Sequence, residues 1–507
     1  MAIKISGTTV IDDSRNVTDV ENVGDANTVY TGDGSNLTGI QVGSSSFTAS
    51  GAISNGTTVI LNSDGTVSAV TTESSDVPII GSTSTFHSPS TTFIATAYDP
   101  DEGKVIICYR DNVDNYGRAV VGTVSGSDIT FGTEVTFNSS STQDISLVYD
   151  TNSNRALVSY PGGSSYGTSR VLSISGNSIT VGSATAFHFG STGLIRSTFD
   201  SSNNKVVIVY RDTASGNRGR AIVATINASN NTVSFGSEAT WIDDFCNNFD
   251  VTFDSTNNKV VICGGFTGAS GSKARAYVGT VSGTSITFGT PGIFSNSGLY
   301  YVAAAFDSTN GKVVIVFQDP DNSSYMAGIV GTVSGTGISF GSVVVINSVT
   351  SINLSAAYDS NNGKIVAVTG TASKVYMGTV SGTSITFDGG STYDSNNSTY
   401  TSVIFDTTNN ISVISYRKSS NSGASVVVDN TGTNATDDNF IGIAAEAISN
   451  GSSGSITMVT GINESQTGLT TGQQYFVQRD GTIDTTADTP SLLAGTAISA
   501  TKLIVKR

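Results

Sequence analysis

The chain has 507 residues, too many for one ordinary compact domain unless the fold is a large closed one. Apolar residues make up 37% of it, enough for a core, so 56 Gly and abundant Ser, Thr and Asn do not make it a disordered linker. Only 13% of residues are charged and the formal net charge is −16, which argues against nucleic acid or an anionic membrane as partner, since both recruit clustered Lys and Arg.

The N-terminus, MAIKISGTTV, has no apolar stretch of the kind a secretory signal needs, and no run of 18 apolar residues offers a membrane span. No membrane insertion is expected. Residues 1–40 are polar and Gly-rich, with poor means of burying themselves alone. They read as an attachment and oligomerisation segment ordered by partner chains. GDGSNLTG within it lacks the Lys-Ser/Thr of a phosphate-binding loop. Residues 41–76 read as a small β flank containing ASGAISNG (Ala49 to Gly56) and then NSDGTV.

A repeat follows. An aromatic-Asp pair ends at Asp99, Asp150, Asp200, Asp254, Asp307, Asp359 and Asp406, in steps of 51, 50, 54, 53, 52 and 47 residues. Each copy reads as four strands. Strand A ends in the aromatic-Asp pair, as in LYYVAAAFD, and a turn of Asp, Ser and Asn follows. Strand B is a continuous apolar run such as KVVIVY (Lys205 to Tyr210), expected to be buried on both faces. A loop of varied sequence leads to strand C, RAYVGTVS, and an SGTS turn leads to strand D, ITFGT. The β-branched bias, the absence of helical periodicity and only seven Pro support strands throughout.

Four strands in about 50 residues is the size of a propeller blade. The rival is an open stack of sheets, and the ends of the array separate the two. The seventh copy lacks strand D, whereas an unattached strand-D sequence, IGSTSTF (Ile80 to Phe86), precedes the first copy. It aligns with FGTEVTF, VGSATAF and FGSEATW of full copies. The expected fold is therefore all-β: residues 77–430 as a seven-bladed β-propeller closed by an N-terminal strand in the last blade, with small β-rich modules at both ends. The C-terminal module, 431–507, contains AAEAISNG (Ala444 to Gly451) and QRDGTI, matching the N-terminal flank, so the two flanks are expected to form one composite base.

MAIKISGTTVIDDSRN, YTGDGSNLTGI and the ending GLTTGQQYFVQRDGTI…AGTAISATKLIVKR resemble virion fibre and adhesin-type structural proteins of marine bacteriophages, cyanophages among them; the central AVVGTVSGTSITFGT-type repeats are similar to repeats in the same group. The resemblance implies a virion-surface location, a tail fibre or similar appendage, partnership with other virion proteins through the N-terminal segment, and a homotrimer. It brings no catalytic residues.

Within the chain the A–B turns (DSTNNK, DSSNNK, DSTNGK) and C–D turns hardly vary, while the B–C and D–A loops do. Structural turns keep their chemistry and a binding face differentiates, so the variable loops are the expected recognition surface. They carry Tyr116, Tyr166, His188, Phe189, Trp241, Tyr300, Tyr301 and Tyr325, aromatic planes among Asn, Asp and Ser that suit a sugar. Arg110, Arg211 and Arg417 each follow a strand-B Tyr; they read as surface features inherited with the repeat, their charge met by nearby carboxylates. DPDEGK (Asp99 to Lys104) and DPDN (Asp319 to Asn322) cluster oxygens that Ca²⁺ could use, yet have the character of turns. Cys108, Cys246 and Cys263 form no CxxC, and with His87 and His188 give no familiar zinc spacing. No metal, cofactor or catalytic residue is assigned. The expected function is a phage virion-surface structural protein whose propeller binds a host-surface glycan. The alternatives are a purely structural virion component, a capsid decoration or tail spacer, and a propeller glycosidase.

Overall fold

A computed structural model describes residues 43–268, 271–488 and 490–506, with the backbone of two short paired strands, Ile3–Ile5 and Thr8–Ile11. The rest of the expected attachment segment, 1–40, lies outside the described residues. The chain divides into two units. One is Val70–Thr436; the other joins the residues up to Ala69 with Asp437–Arg507. Both are all-β and antiparallel, and among the described residues the only helical turns are the 3-10 segments Pro320–Asn322 and Thr371–Ser373.

Val70–Thr436 holds the seven copies. In copy 5, strands A (Val302–Asp307), B (Lys312–Asp319) and C (Tyr325–Ser334) pair in order. Strand D is not one strand, as the sequence suggested, but two pieces, Gly337–Phe340 and Val344–Thr350, both on strand C. Strand B is buried from Val313 to Gln318 because sheets cover both its faces, as the unbroken apolar run requires.

The repeated aromatic-Asp pair has a definite job. Its carboxylate is buried and takes the N–H groups of the A–B turn: Asp307 Oδ1 accepts from Asn310 N at 2.9 Å and Oδ2 from Asn310 Nδ2 at 2.8 Å. Asp200, Asp254, Asp359 and Asp406 repeat the pattern on Asn203, Asn257, Asn362 and Asn409. The residue before strand B closes the turn in the left-handed region, so it is Gly103, Gly311 and Gly363 in three copies and Asn154, Asn204, Asn258 and Asn410 in the others.

The Gly of the FG pair in strand D (Val-Gly in copy 2) has a different cause. A Cβ on Gly132, Gly182, Gly236, Gly289 or Gly341 would collide with the carbonyl oxygen of Asn177, Asn231, Thr284, Thr336 or Thr383, in the C–D turn of the following copy. That turn nests against the missing side chain, and strand D breaks there. Apolar clusters likewise join neighbours rather than fill single sheets. Val261, Val278, Val302 and Phe317 join copies 4 and 5, and comparable clusters join 1–2, 2–3, 3–4, 5–6 and 6–7.

The first and last copies are linked in the same way. Strand C of copy 7, Ser422–Thr433, pairs with Thr72–Ile80 and with the first half of Ser84–Asp99, through Val428↔Ile80 and Ala424↔Thr85. The second half of Ser84–Asp99 is strand A of copy 1. Phe86, Val105, Tyr109, Val413 and Val427 share one apolar cluster, and Gly81 meets Ser127 O of copy 1. Copy 7 has no tight C–D turn, and copy 6 carries Asp388 where the others have the FG Gly.

In the other unit one sheet takes Ser44–Thr48, Thr58–Leu61 and Val67–Ala69 from the N-terminal side and Phe440–Ala444 and Ser453–Met458 from the C-terminal side. The two AISNG motifs meet: Ile53 N and Ile448 N each donate to the other's carbonyl, at 2.9 and 2.8 Å. The two DGT turns are built alike, with the Thr66 and Thr482 hydroxyls donating to Asp64 and Asp480 at 2.6 Å.

The FG contact can be tested by a matched pair of variants. Gly289→Ala forces a methyl group onto Thr336 O and is expected to cost ~1–3 kcal/mol as overpacking. Gly389→Ala, in the equivalent stretch of copy 6, meets nothing within 4 Å and is expected to be neutral. Denaturant unfolding of both variants measures the difference; equal midpoints would refute the contact.

Candidate functional site

Strand A of each copy adjoins strand A of the next, and that of copy 7 adjoins that of copy 1. Between them lies a cavity of about 340 Å³, lined by residues from all seven. Its wall is stitched from copy to copy by the residue four before the aromatic-Asp Asp. Ser146 Oγ lies 2.7 Å from Ser197 Oγ, Asp250 Oδ2 accepts Ala304 N–H at 2.9 Å, and Ser355 Oγ accepts Val403 N–H at 3.0 Å. Ser402 Oγ accepts Thr96 N–H at 3.1 Å, from copy 7 to copy 1. In copy 3 the position is Arg196, whose Nε is 3.8 Å from Asp250 Oδ1. Burial pushes the Asp250 carboxyl above the usual carboxylate range, against the pull of Arg196 and the Ala304 N–H.

The rim lies two residues further up, six before the Asp: Phe93, Asp144, Asn248, Tyr301, Asn353 and Tyr400 all line the cavity. Phe93, Asp144, Asn353 and Tyr400, with Leu194 at the same place in copy 3, have φ between 43° and 53°. The pairing of strands A and B slips there, between Thr92 and Ala95, Gly193 and Arg196, and Thr399 and Ser402. These are bulges that turn a bulky side chain onto a new course, at a cost of ~1–3 kcal/mol per strained residue. Asn353 Oδ1 accepts Tyr400 N–H at 3.2 Å, Asn248 Nδ2 donates to Tyr300 O at 2.5 Å, and the Phe93 and Tyr400 rings lie 5.4 Å apart. The rim is thus held from copy to copy by the protein's own contacts.

Of the eight residues expected to bind, Tyr301 lines this cavity. Tyr300 beside it is 68% exposed and Phe189 is 76% exposed, with its ring 5.8 Å from that of Tyr166. Tyr116 lies under Arg118, and Tyr325 is a half-buried strand residue opposite Thr350. These rings are spread over several copies rather than gathered. Two of the eight are engaged by the protein itself. Trp241 is 4% exposed, its indole N–H donating to Arg220 O and its ring packed against Phe249, Phe266 and Tyr277, because the D-strand aromatic turns inward over strand C. His188 is held between Glu238 (Nδ1 to Oε1, 2.6 Å) and Asp212 (Nε2 to Oδ1, 3.5 Å), with Tyr210 donating to the same glutamate at 2.7 Å.

That cluster occurs twice. His87 lies 2.8 Å from Glu134 and 3.4 Å from Asp111, and Tyr109 donates to Glu134. Each His comes from the strand that ends one sheet and each carboxylate from the next, so the clusters tie copies 7 and 1 and copies 2 and 3. Burial, then the adjoining glutamate, pushes both tyrosine hydroxyls well above their ordinary range. Sequence reading missed the rim and these clusters. The rim's only sequence signal is its fixed distance from the aromatic-Asp mark, and the clusters' is the paired FH with a later Glu.

The possible calcium turns are occupied by backbone. Asp99 Oδ1 accepts the N–H of Asp101 and Glu102, and Asp319 that of Asp321.

The sequence matches no known protein-family profile, and no curated protein is similar to it. Among solved structures it is similar to Sqt1 from Saccharomyces cerevisiae, with 9% identity, a TM-score of 0.43, and 70% of this chain and 98% of that one covered. A chain of the mitotic checkpoint complex shows 9% identity, a TM-score of 0.48 and coverage of 71% and 96%. A triple arginine-to-alanine variant of AofleA from Arthrobotrys oligospora shows 10% identity, a TM-score of 0.38 and coverage of 65% and 92%.

The histidine clusters make a pH prediction. Burial pushes the Asp212 carboxyl up, but the Ser215 hydrogen bonds, His188 and Arg220 outweigh it and leave it below its ordinary value of 3.8. The folded state therefore gains stability from ionised Asp212 above that value and loses it as pH falls through the lower folded value. Asp212→Asn is expected to be less stable than the parent at pH 7 and to converge with it in acid. Thermal unfolding across pH 7 to 3 reads this directly; a constant gap would rule it out.

Proposed function

We propose that Val70–Thr436 is a seven-bladed β-propeller closed by its N-terminal strand, and that the chain is a non-enzymatic structural protein of a virion surface whose propeller binds a host-surface glycan in the cavity between its A strands. The ring reading is supported by the pairing of Ser422–Thr433 with Thr72–Ile80 and Ser84–Asp99, by the Ser402–Thr96 hydrogen bond, and by Asp388 replacing the FG Gly only where no C–D turn follows. The virion location, attachment through residues 1–40 and a homotrimer rest on the sequence resemblance alone.

One observation carries the binding reading. Phe93, Asp144, Asn353 and Tyr400 stand at the cavity rim in the left-handed region, two of them at bulges, and for the aromatic Phe93 and Tyr400 that conformation costs stability; strain of this kind gathers at ligand sites. Aromatic faces beside Asn and Asp match the apolar and hydroxyl faces of a sugar ring. A cavity of about 340 Å³ is at the small end of ligand pockets and suits one sugar unit rather than a long chain. Binding is favoured over hydrolysis because glycoside cleavage uses two carboxylates. Asp250 is committed to Arg196 and Ala304, which leaves Asp144. Several copies on one particle would multiply a weak single-site affinity.

The test is a glycan array probed with the full chain, followed by Tyr400→Ala and Asp144→Asn. Each variant is expected to lose roughly tenfold in affinity, the worth of about 1.4 kcal/mol of ring or charged hydrogen-bond contact, with little change in thermal stability. An array on which no saccharide is retained would end the binding reading.

A further inference from the structure

With 40 acidic and 24 basic residues, the chain offers its arginines many carboxylates. Arg118, Arg196, Arg218, Arg220, Arg275 and Arg479 each take one. Arg155 and Arg170 donate to neutral protein oxygens through at least two nitrogens each. Arg110, Arg211 and Arg417 do neither. Their charge was expected to be met by nearby carboxylates, yet among the described residues none forms an ion pair within 4.0 Å. The Nε of each is buried with no hydrogen-bond partner.

These three share one place in the repeat, and that place is next to the cavity rim. Arg110, Arg211 and Arg417 stand opposite Thr92, Gly193 and Thr399, one residue before the bulged Phe93, Leu194 and Tyr400. The Arg110 guanidinium lies 5.9 Å from the centre of the Phe93 ring, which itself lies 5.4 Å from that of Tyr400. Arg110 and Arg417 are steered by a loop Asn in the left-handed region, Nη2 donating to Oδ1 of Asn115 and of Asn421. Arg211 is the outlier: its Nη1 reaches Cys246 O at 3.4 Å, and its Nη2 and the Asp144 carboxylate both face Gly193.

We infer that the rim selects anionic saccharides, with the Phe93 and Tyr400 rings taking the face of a pyranose and Arg110 and Arg417 taking a carboxylate or sulfate on it. This rests on the proposal that the cavity binds a glycan. The guanidinium fork is the side chain best matched to such an oxyanion, and a charged hydrogen bond at a half-buried site is stronger than a neutral one. The net charge of −16 does not forbid it, because charges beyond about 8 Å are screened at physiological salt, whereas the Arg110 guanidinium lies 5.9 Å from a rim ring and Arg417 stands on the strand opposite Thr399, next to Tyr400.

The full chain would be titrated with oligogalacturonate, with a neutral galactan oligomer of the same length and with a sulfated galactan. The acidic ligands are expected to bind about tenfold tighter or better than the neutral one. Arg110→Gln and Arg417→Gln are each expected to abolish that preference and keep neutral binding, while Arg155→Gln, the same charge change elsewhere, keeps the preference. Whichever of the two acidic ligands binds tighter names the anion. Equal affinity for neutral and acidic ligands overturns the inference and leaves the glycan proposal standing. A preference that survives both rim variants, or one that Arg155→Gln also removes, overturns it as well. Binding by none of the three removes the cavity proposal and this inference together.

Discussion

At every junction between copies but that of copies 6 and 7, one steric exchange recurs: a missing side chain in strand D of one copy receives the C–D turn of the next. The contact sets the offset between neighbouring sheets to within an atom's width. With that offset fixed, the apolar side chains of strand B on facing sheets interleave into shared clusters, as close packing demands. Asp388 shows the rule from the other side. Where no turn arrives, the position takes a side chain, and Asp388 Oδ1 accepts the Met377 N–H at 2.9 Å.

The same offset brings the A strands close enough for short polar side chains to bridge them. Ser146, Ser355 and Ser402 each reach across to the next copy, so the cavity wall is a set of hydrogen bonds between sheets rather than an apolar seam. Copies 3 and 4 replace this by Arg196 and Asp250, which brings a charged pair into the wall and breaks the likeness between copies. A rim built from six related positions then differs from copy to copy: rings at Phe93, Tyr301 and Tyr400, amides at Asn248 and Asn353, an acid at Asp144.

Much of this architecture was legible in the sequence, for local reasons. The aromatic-Asp pair, the left-handed Gly or Asn before strand B and the Gly of the C–D hairpin act within a few residues of themselves, so their spacing reports the strands directly. The unattached IGSTSTF was legible because strand D carries its own signature, and its pairing with Ser422–Thr433 follows from it. The two AISNG motifs announced the partnership of the flanks, which the Ile53–Ile448 pairing fulfils. What the sequence hid depends on neighbours distant in the chain. Trp241 in an outer strand has the composition of a surface aromatic and is buried only because Phe249 and Tyr277 of the next copy close over it. His188 looks like a loop residue until Glu238, 50 positions on, comes to 2.6 Å. The rim is least legible of all, since Phe, Asn, Asp and Tyr there share a backbone conformation and no residue type.

Two strands, Ser84–Asp99 and Thr185–Asp200, each run for 16 residues, from the outer edge of one sheet to the inner edge of the next. A β-strand rises about 3.3 Å per residue, close to the limit of an extended chain. Apart from the bulges at Phe93 and Leu194 and the register shifts beside His87 and His188, these junctions hold little slack, whereas copies 1 and 2 are joined through an irregular stretch between Asn138 and Ser146 that can straighten under load. Two of the junctions between sheets are thus short, nearly taut straps, each pinned by a histidine cluster. Tension would open the molecule first at the slack junctions and leave sheet pairs 7–1 and 2–3 as the last pieces to part.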